Sequence, residues 1–281
     1  MAVGYVRQLY LLPRELEDQV SDQLWCQGTL GLQSLEEGDG RLRIEAYFPA
    51  EAAMEIVGLP PEVECLGVED LPDADWLEPY RRHVQPLTIG RRLLVDPREP
   101  DAGPLPPAEG RVVLRLPARE AFGTGSHEST RLVLELLEDL DLPGRAVLDV
   151  GTGSGILCFA ALVFGARLAV GFDVDPVAVL LAGQNRALNG LEPQLFTGSL
   201  AALRPGASFD LALVNILPEY ILPELDLLPP LLASGGRAIF SGILETIGAE
   251  VLAQLQARGF VLERQLRSAE WVAFQLRLEA G

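Results

Sequence analysis

Cysteine and histidine are scarce in this chain. Cys26, Cys65 and Cys158 stand singly with no CxxC spacing, and the two histidines are His83 and His127. That argues against a disulfide framework or a zinc site, so no metal and a reducing, cytoplasmic setting are expected. Basic residues are also few: 22 Lys and Arg face 40 Asp and Glu, a net charge of −18. Free nucleic acid is bound by neutralising phosphates, so direct nucleic-acid binding is not expected. Such a surface suits a basic partner steered in by long-range attraction. A membrane-length apolar run is missing too. The longest uncharged stretch, 150–166, is broken by four glycines and flanked by Asp149 and Arg167, so it reads as a loop and a buried helix. No N-terminal signal segment is visible, and no membrane association is expected.

What is present is a 48% hydrophobic composition, enough to exclude disorder and fill one or two cores. The most informative run is VLDVGTGSG, 147–155. A short apolar strand ends in an acid, a glycine loop follows, and then an apolar helix. Asp173 comes one helix and one strand later, in VGFDVDP. This is the front half of a nucleotide-binding βαβ unit, with an acid placed to hold a ribose. The glycines are Gly151, Gly153 and Gly155, and Ile156 stands where a dinucleotide fold would have its third glycine. That spacing favours S-adenosylmethionine (SAM) over NAD. SAM has no pyrophosphate, and the loop need only let backbone approach the methionine end, which residues without Cβ permit. Asp149 is expected to meet the methionine ammonium, directly or through water. Asp173 is expected to accept from the ribose hydroxyls.

Residues 1–68 read as strand 3–12, helix 13–27, strands 30–36 and 41–48 around the EGDG turn, helix 50–57 and strand 62–68. The order βαββαβ is that of a ferredoxin-like α+β domain. Residues 69–90 form a linker in which Trp76, Tyr80 and His83 fall near helical spacing. Segment 87–95 is expected to add a strand, and five prolines place 96–110 in an exposed loop. From 91 to 281 the chain alternates β and α, with expected strands at 111–116, 147–150, 168–173, 194–197, 209–215 and 237–241. Helices are expected from about 127 to 140 and at 156–164, 176–189 and 246–258, with a Pro-interrupted helix at 218–232. Two final strands, 260–266 and 271–278, read as an antiparallel hairpin. A mostly parallel, Rossmann-like α/β sheet closed by such a hairpin is the architecture of class I SAM-dependent methyltransferases. Asp175, before Pro176, is read as a helix N-cap, and His127 as a residue shaping a loop or helix start.

AFGTGSHEST (121–130), VLDVGTGSG, FDVDP and VNILPEY (214–220) together resemble the PrmA family, bacterial methyltransferases of the eleventh large-subunit ribosomal protein at the stalk base. The linker DADWLEPYRRHVQPLTIGRRLLV, SGIL at 241–244 and Glu270-Trp271 extend the likeness over 73–281. The resemblance implies an N-terminal substrate-recognition domain and SAM as cofactor. It implies methyl transfer to lysine side-chain amines, and to an N-terminal amine, of that protein. It places Gly151, Gly153 and Gly155 in the SAM loop, Asp173 on the ribose, and Phe122, Thr124, Gly125 and Thr130 over the methionine side. Asn215 would face both methyl donor and incoming amine, and Phe122 would set its ring near the sulfonium. Ala118-Arg119 depart from the Pro-Gly that many members carry before AFGTG. Competing readings are a lysine methyltransferase of another protein, a small-molecule N-methyltransferase, an NAD-dependent oxidoreductase and a non-catalytic binding module. The absence of the D/N-P-P-Y/F motif, since Asn215 is followed by Ile-Leu-Pro, argues against nucleic-acid amino groups.

Overall fold

The computed structural model describes residues 5–29, 31–49, 58–71, 85–101, 103–105, 107–117, 127–204, 206 and 208–279. Internal contacts divide the chain into Met1–Glu78 and Pro79–Gly281.

In the first unit, β1 (Tyr5–Pro13) is followed by a 3-10 turn and α1 (Glu17–Cys26). Next come β2 (Gly31–Gly38), β3 (Arg41–Pro49) and β4 (Glu64–Leu71), forming one sheet in the order β2-β3-β1-β4, with every pairing antiparallel. Alternation builds the core. Val6, Tyr10 and Leu12 of β1 and Ile44, Ala46 and Phe48 of β3 are buried with Val20 and Leu24 of α1. The β2–β3 turn works because Asp39 and Gly40 both take positive φ, 50° and 74°, which matches the strand twist. The other face carries charge: Arg7 Nη1 lies 3.0 Å from Glu45, and the Tyr47 hydroxyl donates to Glu45 at 3.1 Å. The expected helix at 50–57 and the linker positions Trp76, Tyr80 and His83 lie outside the described residues.

In the second unit, β5 (Leu87–Ile89), β6 (Leu93–Asp96) and β7 (Val112–Arg115) form a small sheet. The single strand expected at 87–95 is therefore two. Gly90, at φ +54°, reverses the chain between β5 and β6, so residues 87–89 of the expected linker belong to this sheet.

The main sheet is seven-stranded. In chain order come α2 (Glu128–Glu138), β8 (Ala146–Val150), α3 (Ile156–Val163), β9 (Leu168–Asp173), α4 (Pro176–Asn189), β10 (Gln194–Thr197) and β11 (Phe209–Asn215). They are followed by α5 (Pro218–Ile221), β12 (Leu232–Leu244), α6 (Glu245–Gln256), β13 (Phe260–Ser268) and β14 (Trp271–Leu278). The strand order is β10-β9-β8-β11-β12-β14-β13, parallel except for β14, which runs antiparallel to both its neighbours β12 and β13. This is the mostly parallel sheet with a terminal hairpin that the sequence led us to expect. Both faces are buried. Val147, Leu211, Leu213 and Ile239 pack with α2 and α3, whereas Leu148, Ala212, Val214 and Phe240 pack against the other cluster. Burying each large apolar side chain contributes roughly 1.5–3 kcal/mol.

Two other expectations need correction. The helix expected at 218–232 is a single α-turn followed by 3-10 turns, because Pro223, Pro229 and Pro230 lack the N–H that an α ladder requires. The strand expected at 237–241 runs from Leu232 to Leu244, and its irregular pairings bracket Gly235-Gly236 and Gly242.

Candidate active site

Chain order reverses at β8, whose neighbours are β9 and β11. The crevice beyond the carboxyl ends of such strands is where an open α/β sheet binds ligands. The sequence motifs converge there: Gly151–Gly155 after β8, Asp173 ending β9 and Asn215 ending β11.

The glycine loop needs its glycines. Gly151, Gly153 and Gly155 have φ of +72°, +51° and +86°. A Cβ at Gly151 would strike the Ile216 side chain, and one at Gly155 would come within 2.7 Å of the Phe159 ring. Backbone bonds close the loop, with Thr152 N donating to Phe172 O and Gly155 N to Thr152 O, both at 2.8 Å. Asp173 sits over it. One oxygen accepts from Gly153 N at 3.0 Å and the other from Asp175 N at 3.1 Å, leaving lone pairs for two further donors.

Asp149, expected to meet a ligand ammonium directly or through water, is fully buried next to the loop. Its Oδ2 accepts from the Thr152 hydroxyl at 2.7 Å, and its Oδ1 has no partner. Burial pushes its carboxyl up to about 6, and the neighbouring Asp173 charge adds to the rise. The Cys158 thiol beside it is raised by burial as well.

Asn215 and Thr130, 85 positions apart in sequence, meet directly: Asn215 Nδ2 donates to Thr130 Oγ1 at 3.0 Å. Thr130 is fully buried, and Asn215 Oδ1 is buried with no partner. Ser241, in register with Asn215 across β11–β12, donates to Ser129 O at 3.0 Å, so the start of α2 is tied to two strand ends. His127 caps α2 and Asp175 caps α4, accepting from Val177 N at 2.8 Å. Phe122, Thr124 and Gly125 lie outside the described residues.

Several residues escaped the sequence reading. Asn185 Nδ2 donates to Ser154 O at 3.0 Å, holding the glycine loop from α4. One turn on, Asn189 pairs with the backbone of Arg115 at the end of β7, donating to its carbonyl and accepting from its amide, both at 2.7 Å. The i, i+4 spacing of two asparagines was the available signal. Ser129 and Ser241 gave none, because their pairing spans 112 positions.

The site offers backbone approach at three positive-φ glycines, a half-buried carboxylate with spare lone pairs, and a buried, unpartnered amide oxygen. Val174, next to Asp173 and 73% exposed, adds apolar surface for a flat base. Among the described residues no group of His, Cys, Asp and Glu could hold a metal, and no helix is long and apolar enough to cross a membrane.

A protein-family profile described as "Ribosomal protein L11 methyltransferase (PrmA)" matches residues 15–279. A protein of that name from Geobacter sulfurreducens is 40% identical over 267 residues, covering 89% of this chain and 86% of the relative. One from Synechococcus elongatus is 35% identical over 278 residues, 91% of each chain. The crystal structure of a ribosomal protein L11 methylase from Lactobacillus delbrueckii subsp. bulgaricus superposes with a TM-score of 0.63 at 30% identity, covering 70% of this chain and all of that one. The chain belongs to the PrmA family of SAM-dependent methyltransferases.

Proposed function

We propose that this enzyme transfers methyl groups to lysine side-chain amines, and to the N-terminal amine, of ribosomal protein L11 in the cytoplasm. The observation that carries this reading is the buried, unpartnered Oδ1 of Asn215 at the carboxyl end of β11, whose Nδ2 is occupied by Thr130.

Gly151, Gly153, Gly155, Asp173 and Thr130 would hold SAM, with Phe122, Thr124 and Gly125 on the methionine side. Asp149 would act from beneath the loop or through water. SAM, when bound, supplies an electrophilic methyl group. The chain's own task is the nucleophile. A lysine amine with pKa near 10.4 must lose a proton, at a cost of about 4.6 kcal/mol at neutral pH. Desolvation lowers that cost by disfavouring the ammonium. The Asn215 oxygen accepts an amine N–H and aims the lone pair, and it adds no negative charge that would hold the amine protonated. Positioning of this kind carries most of the rate effect.

Substrate selection falls to the N-terminal unit, residues 1–68, joined through 69–90 to the catalytic residues 91–281. The net charge of −18 favours a basic protein. The test is transfer of labelled methyl from SAM to purified L11. We expect label on lysine or the N-terminal amine, and a kcat about 100-fold lower in Asn215→Ala. Label on another residue type, or an undiminished Asn215→Ala, would overturn this reading.

A further inference from the structure

Asn215 is oriented by Thr130, and Thr130 stands three residues after the cap of α2, so whatever fixes the start of that helix also sets the reacting amide. His127 occupies the cap in extended backbone, φ −74° and ψ 136°. The Ser129 amide reaches its Nδ1 at 3.3 Å and the Ser129 hydroxyl at 2.7 Å. Trp271 of β14 meets the ring edge to face, with centroids 4.8 Å apart. Ser129 is held from the other side by Ser241. An aromatic cap is unusual, because Asn, Asp, Ser and Thr fill this position best.

We propose that His127 is a positioning residue for methyl transfer: its neutral imidazole caps α2 and thereby sets Thr130 and the orientation of Asn215. This rests on the reading that Asn215 receives the amine. With Nδ1 accepting, the ring proton belongs on Nε2. A second proton on Nδ1 would point at the Ser129 amide, abolish the cap and put a cation at the positive end of the helix dipole. The surroundings favour the neutral form. Burial lowers the His127 pKa, and the Glu128 carboxylate opposes that. Glu128 is itself engaged, with Arg131 at 3.6 Å on its own helix and with the Ser268 hydroxyl of β13 at 2.7 Å. From β14 the ring meets the uncharged Trp271, and from β12 the uncharged Ser241 holds Ser129.

The test is kcat and KM against pH for the full chain, His127→Ala, His127→Asn, Asn215→Ala and the pair His127→Ala/Asn215→Ala, with SAM binding as the check on folding. Asparagine keeps a cap without a titrating ring. We expect His127→Ala to lower kcat about fivefold at pH 8, the worth of one cap, and His127→Asn to restore it. We also expect the wild type to lose extra activity below about pH 6.5, a loss absent from His127→Asn. The paired variant should be no slower than Asn215→Ala. If His127→Asn is as slow as His127→Ala, or keeps the acid loss, the proposal is overturned. A fully active Asn215→Ala would instead overturn the underlying reading of the site.

Discussion

In the four-stranded sheet one face is apolar and the other carries Arg7, Arg43, Glu45 and Tyr47 in a polar network, whereas the seven-stranded sheet is buried on both faces. The contrast reaches single strands. All five residues of β8 are buried, while in β4 Leu66 and Val68 are 46% and 55% exposed. A sheet covered on both faces can offer a ligand only its strand ends, and there Asp149, Asp173 and Asn215 gather. In the four-stranded sheet, by contrast, the described residues of the second face carry paired charges.

The largest way to break this comparison is to remove the N-terminal unit. A chain lacking residues 1–68 should retain SAM affinity within about twofold while losing methylation of L11 beyond detection, since binding energy remote from the reacting centre supports the rate. Calorimetry with SAM and the label-transfer assay read the two effects separately. Normal methylation by the truncated chain would end the division of labour.

A smaller effect lies at the strand ends. Asp149 is raised to about 6 by burial, above the roughly 3.9 of an unfolded chain, so the fold favours its protonated form. Its stabilising share is complete below about pH 3.9 and is lost as pH rises through 6, roughly 3 kcal/mol in all. Asp149→Asn keeps an oxygen for Thr152 and should gain up to about 3 kcal/mol over wild type at pH 7.5, with no gain at pH 4. Urea titrations at both pH values measure this, and an equal gain at both would show that the carboxyl does not titrate as described. If a bound ammonium reaches Asp149 through water, saturating SAM should shrink the gain.

The smallest effect belongs to the N-terminal unit's surface. Arg14 and Glu36 pair at 2.9 Å with side chains 67% and 72% exposed. Arg14→Ala should stay within about 0.5 kcal/mol of wild type in thermal unfolding, because solvent and side-chain entropy cancel most of such a pair. A larger loss would mean that the charged surface also stabilises the unit.

Local signals made much of this legible. The βα alternation, the glycine loop, the caps at His127 and Asp175 and the closing hairpin all follow from residues within a dozen positions of one another. The turn at Gly90 is missed when 87–95 is read as a single strand, although Gly90-Arg91-Arg92 breaks its apolar residues into two short groups. The prolines of 218–232 are visible as interruptions, but the sequence does not show that they leave a single α turn and pass the rest to 3-10 turns, since each removes a backbone donor.

The amino-acid pattern alone settled that a SAM-type loop with a distal acid lies in a parallel α/β sheet, because strand, turn and helix preferences act between near neighbours. It did not settle that Asp149 turns under the loop, that Thr130 occupies the Asn215 amide across 85 positions, or that Asn189 pairs with Arg115 across 74. Those outcomes depend on which strands lie side by side and on how much water each polar atom loses, and both are fixed only once the chain is packed.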